Sequence, residues 1–126
     1  MKKYRRSIAA IIMATSLLCG TMMPNLSASA KQFTCNSSGY AKGVKTDFNN
    51  RNKPAYVRLT FTSLKQTTYI RYYNKWNQPV WTGTWNGAAC LQRKMYLGPN
   101  VYRISAKTNR GTNRIQVDPA GNCKVK

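Results

Sequence analysis

From Tyr56 onward, apolar and polar residues alternate with a period of two, the mark of strands with one buried face. In YVRLTFT, Val57, Leu59 and Phe61 point one way while Arg58, Thr60 and Thr62 point the other. TTYIRYY repeats the pattern, with Ile70 and Tyr72 opposed to Tyr69, Arg71 and Tyr73. VWTGTW places Trp81, Gly83 and Trp85 on one face. VYRISAKT turns Tyr102, Ile104 and Ala106 inward, and RIQVD does the same with Ile115 and Val117. CLQRKMYL also suits a helical turn through Leu91, Met95 and Leu97, and is assigned to a strand with Arg93 on its edge. Asn74 to Pro79, LGPN, NRGTN and PAGN are turns by composition, and CKVK is a last short strand.

Residues 31 to 55 are rich in Asn, Ser, Gly and Lys, and predict one or two short strands among loops. Six or so short strands at this spacing indicate an all-β domain, a small antiparallel β-sandwich or partly open barrel. Its Thr, Tyr and Val content suits half-buried pleated surfaces.

The first thirty residues break the pattern. Lys2, Lys3, Arg5 and Arg6 precede an apolar run from Ile8 to Cys19, and Ala28-Ser29-Ala30 follows. A basic head, a short apolar centre and an A-x-A site define a signal peptide of bacterial type, cleaved after Ala30. The apolar run is shorter than the roughly 20 residues needed to span a bilayer, so no membrane anchor is expected in the exported chain. The remaining domain, residues 31–126, is expected to be secreted and extracellular. It can bury about two thirds of its unfolded surface.

Charge then narrows the function. Four of the 21 basic residues lie before Ala30, leaving 17 against Asp47 and Asp118, a net charge of +15. There is no Glu and no His. Self-repulsion on this scale disfavours the compact state unless a polyanionic partner compensates. Arg58, Arg71, Arg103, Lys107, Arg114, Lys124 and Lys126 all fall opposite apolar positions in their strands, so strand pairing decides whether they make one basic face.

The same inventory argues against catalysis. General acid–base chemistry near neutral pH draws on His, Glu or a tuned Asp or Lys. Here Asp118 precedes Pro119 in a turn context, Asp47 sits in a polar loop, and no imidazole could activate a Ser or Cys nucleophile. No metal site and no cofactor are expected.

Cys35, Cys90 and Cys123 remain after cleavage and suit an oxidising compartment. Three cysteines allow one disulfide and one leftover thiol, with the pairing open. A Cys35–Cys123 bridge would close a long loop, worth about 4 kcal/mol in the chain-entropy model.

Binding is therefore the expected role, and the stretch RYYNKWNQPVWTGTW concentrates its chemistry. Arg71, Lys75, Arg93, Lys94 and Arg103 are the candidate contacts to an anionic surface. Tyr73, Trp76, Trp81 and Trp85 are the candidate aromatic contacts, with Trp76 in its turn expected to be the most exposed. Anionic envelope polymers or lipids are the expected partners, with antimicrobial or bacteriocin-like use. Nucleic acid carries the same charge, although the chain has no recognisable nucleic-acid motif. Two other classes fit in part: an inhibitor of an acidic extracellular enzyme, and a carbohydrate-binding module stacking sugars on Trp81 and Trp85. No motif is specific enough to point to a family.

Overall fold

The structure, a computed structural model, describes residues 30–63, 65–86 and 92–126. The signal segment before Ala30, Cys90 and Leu91 lie outside the described residues.

Nine strands follow in order. They are β1 (Lys31–Asn36), β2 (Val44–Phe48), β3 (Ala55–Phe61), β4 (Thr68–Tyr73), β5 (Pro79–Trp85), β6 (Gln92–Leu97), β7 (Arg103–Thr108), β8 (Thr112–Gly121) and β9 (Cys123–Val125). They form two antiparallel sheets. The first has the order β1-β8-β3-β6 and the second β5-β4-β7-β2-β9.

The two sheets contribute to one core. Val57, Leu59, Phe61, Ile115 and Val117 come from the first. Val44, Ile70, Tyr72, Trp85, Ile104, Ala106 and Val125 come from the second. The inward sets of β3, β4 and β8 follow the alternation of the sequence, because a period of two leaves each strand only one apolar face to bury. Trp85 stacks on Phe61 with centroids 5.3 Å apart and planes 7° apart, joining the sheets through their two largest core rings.

Three expectations are corrected. The turn expected at PAGN comes later than composition suggests: β8 runs on through Pro119, opposite Val57, to Gly121, opposite Ala55, and the chain bends only at Asn122, where Gly121 has φ +70°, before β9. β1 pairs with β8 only as far as Val117, so Pro119 lies where that side of the strand has no neighbour and its missing N–H leaves no ladder bond broken. Second, Val101 rather than Tyr102 is the buried residue before β7. Tyr102 is half-buried beneath the Arg51 guanidinium, 3.7 Å from its ring centroid.

Third, the Cys35–Cys123 bridge is not made. Both are free thiols, Cys35 on β1 in the first sheet and Cys123 on β9 in the second. The Cys123 thiol lies 3.2 Å from the Tyr56 carbonyl oxygen instead. No disulfide forms among the described residues.

Candidate functional site: a cationic and aromatic sheet face

β4 and β7 are neighbours, and their registers set three outward pairs: Tyr69 opposite Lys107, Arg71 opposite Ser105, and Tyr73 opposite Arg103. The alternate residues, Ile70, Tyr72, Ile104 and Ala106, go to the core. One face thus alternates rings and cations, because the apolar set fixes which way every other residue points.

β2 extends this face by placing Lys45 opposite Arg103. The Lys126 backbone exchanges hydrogen bonds with Lys45, at 2.8 and 3.3 Å, which brings the end of the chain to the same place.

The segment before β2 is laid over the face. Gly43 has φ +71°, and a Cβ there would run into the Ile104 carbonyl, so only glycine allows this approach to β7. The Ala41 N–H donates to the Ala106 carbonyl at 3.0 Å, and the Ala41 carbonyl accepts from the Ser105 hydroxyl. Tyr40 is thereby held beside two cations. Its ring centroid is 3.9 Å from the Arg71 guanidinium carbon and 5.2 Å from the Lys107 ammonium.

Arg103 is fixed on several sides. It donates to the Lys42 carbonyl at 2.8 Å, to the Ala41 carbonyl at 3.3 Å and to the Asn77 side-chain oxygen, and it lies 4.0 Å from the Tyr73 ring centroid.

Beside it opens a basin of about 410 Å³. Lys45, Arg51, Lys75, Arg103 and Lys126 line it, against the single carboxylate of Asp47. That carboxylate is already engaged by Lys126 at 3.3 Å. Both partners are well exposed, so the pair itself adds roughly 0–1 kcal/mol. Arg51 is held by the rings of Phe48 (4.6 Å) and Tyr102 (3.7 Å) and by the Pro99 carbonyl. Rings and carbonyls, not carboxylates, hold Arg51 and Arg103, so their charge stays available to a ligand.

The structure divides the sequence-predicted site. Arg71, Tyr73, Lys75 and Arg103 belong to this face and basin. Trp76 is 68% exposed at the adjacent turn, with the Lys75 ammonium 4.5 Å from its ring centroid. The Asn74 side-chain oxygen accepts from the backbone N–H groups of Trp76 and Gln78, and Asn77 adopts φ 61°, which closes the turn.

Arg93, Lys94 and Trp81 lie elsewhere, around a second cavity between the sheets. Trp81 is 41% exposed and Trp85 only 8%, so the two do not make a shared exposed platform for a sugar. The outward cations are also divided, with Arg58 and Arg114 on the first sheet.

Sequence reasoning missed Tyr40, Lys45 and Arg51. They lie in or beside loops without periodicity, and only the return of β2 alongside β7 brings them to the site. Gly43 was the one local signal, since a glycine amid polar residues can mark a close backbone approach.

Among the described residues, no group of three or more His, Cys, Asp or Glu could hold a metal ion. Among the same residues, no helix is long and apolar enough to cross a membrane. No protein-family model matches the chain, and no curated protein matches it.

Proposed function

We propose that this protein is an exported, non-enzymatic binder of anionic polymers and anionic envelope surfaces, built as a β-sandwich with its binding face on the second sheet. The observation that carries this reading is the basin where Lys45, Arg51, Lys75, Arg103 and Lys126 surround one already paired carboxylate. The adjoining ladder of Tyr69, Arg71, Arg103 and Lys107 supplies charge beside an aromatic ring, with Tyr73 buried beneath the Arg103 guanidinium. This suits a repeating phosphate or sulfate chain whose backbone needs cations and whose sugars or bases need flat surfaces. The proposed use is antimicrobial, on the envelope of another cell, where wall polymers and lipids present such anions.

The test is a binding panel of polyphosphate, phosphodiester wall polymer, anionic vesicles and neutral glycan, titrated from low to physiological salt. Binding to the anions is expected to fall linearly in log K against log salt as counterions are released. Lys45→Gln and Arg103→Gln should each reduce that slope by about 1. Absence of polyanion binding at physiological salt overturns the proposal. A growth-inhibition assay on cells with depleted wall polymer tests the antimicrobial use separately.

A further inference from the structure

β5 ends the second sheet and β6 ends the first, so each has one hydrogen-bonded neighbour. Between them lies a cleft of about 500 Å³, within the range of roughly 300–1,000 Å³ typical of small-ligand pockets. Tyr72, Val80, Trp81, Met95 and Tyr96 provide apolar and aromatic walls. A smaller recess, lined by Phe61, Ile70 and Trp85, shares Trp81, Arg93 and Met95 with it. Trp81 leans on Tyr72 with centroids 4.7 Å apart.

Three features of this cleft point to a ligand. The Tyr72 hydroxyl and the Trp85 indole nitrogen are buried without a hydrogen-bond partner, on residues 3% and 8% exposed. A buried donor left unpaired is costly, and the indole N–H can only donate. Burial also raises the Tyr72 phenol far above its usual range, which keeps it a proton donor. Arg93 is the third feature. It lies in register with the core residue Leu59 on an edge strand, its exposed side chain 5.6 Å from the Trp85 ring centroid. Lys94 is at the wall of the cleft, and no acid lines either recess.

We infer that this cleft binds an anionic amphiphile, one carboxylate or phosphate head on an apolar chain or ring body. Arg93 takes the charge, the orphaned donors of Tyr72 and Trp85 take acceptor atoms, and Trp81, Met95, Val80 and Tyr96 take the apolar body. The site is separate from the polyanion face and does not depend on that reading.

The full chain should be titrated with dodecanoate and dodecyl phosphate below their micelle concentrations. Dodecyl maltoside serves as the neutral counterpart and inorganic phosphate as the isolated head. Saturable one-to-one binding of the two anions is expected, at least tenfold tighter than the neutral amphiphile, with a downfield shift of the Trp85 indole proton. Arg93→Gln should lower anion affinity about tenfold and Arg93→Lys less than threefold. Lys53→Gln, which removes the same charge from an exposed loop, should change nothing. Anionic phospholipid vesicles give the source: binding lost in Arg93→Gln assigns a membrane headgroup, and binding retained assigns a free amphiphile. Equal binding of neutral and anionic amphiphiles, or equal loss in Arg93→Gln and Lys53→Gln, overturns the inference. So does a change in oligomeric state with Arg93→Gln and no change in affinity, because a charge on an edge strand also blocks edge pairing.

Discussion

The Arg71 guanidinium lies 3.9 Å from the centroid of the Tyr40 ring, joining β4 to a loop from which it is separated by two strands, β2 and β3. This contact positions a cation without neutralising it. An aromatic face lowers the energy of the guanidinium while leaving its hydrogen-bond donors to a ligand. Rings also lie against Arg103 (Tyr73) and Arg51 (Tyr102), where carbonyls and the Asn77 side chain take part of the donor set. A domain with two Asp side chains has few other ways to order its 17 Lys and Arg.

Replacing Tyr40 with Leu should therefore weaken polyanion binding about three- to fivefold, the equivalent of roughly 0.5–1 kcal/mol for a cation–ring contact at an exposed site. The dependence on salt should hold its slope, since no charge is removed. Titration with polyphosphate at two salt concentrations measures both.

Gly43→Ala should be more damaging than its size suggests. The residue has φ +71° and its new methyl would meet the Ile104 carbonyl, so the segment must lift from β7. A cost of about 1–3 kcal/mol is expected in urea unfolding, from strained backbone. Polyanion affinity should fall as well, because Tyr40 and the carbonyls that hold Arg103 move with it.

The three tryptophans should separate cleanly by substitution. Trp85→Ala opens a cavity against Phe61 and should cost about 3–5 kcal/mol. Trp76→Ala, at an exposed turn, should stay within about 0.5 kcal/mol. Acrylamide quenching of the single-tryptophan variants should rank Trp76 above Trp81 and Trp81 above Trp85.

Stability should decline in alkali. Burial raises the thiols of Cys35 and Cys123 above the ordinary value of about 8.5, and raises Tyr72 above the usual phenol range near 10. The unfolded chain ionises at the ordinary values, so above about pH 8.5 it holds fewer protons than the folded one. The contribution of these groups is complete below that pH and is lost as pH rises through the folded values. Thermal melts should be level from about pH 6 to 8 and fall beyond. Cys35→Ala should soften the first part of the fall, and Tyr72→Phe the part above pH 10.

Much of the fold was legible in the alternation. Val57, Leu59 and Phe61, Ile70 and Tyr72, and Ile115 and Val117 are inward as the pattern predicts, because a strand has no third face. The turn at Asn74 to Pro79 and the exposed Trp76 were legible too, since Asn side chains close turns through their own backbone. The strand across Pro119 was not, because whether a proline is tolerated depends on where a neighbouring strand stops.

By itself, then, the sequence determined the all-β class, the charge, the scarcity of catalytic groups and which residues of each strand share a side. These are local or additive properties. Only the tertiary structure decided that Arg71, Arg103, Lys107 and Lys45 share one face with Tyr40, that Trp85 belongs to the core, and that Arg93 faces Trp81 across a cleft. Those relationships depend on strand order and register between distant segments, and the period of a single strand carries no information about its neighbour.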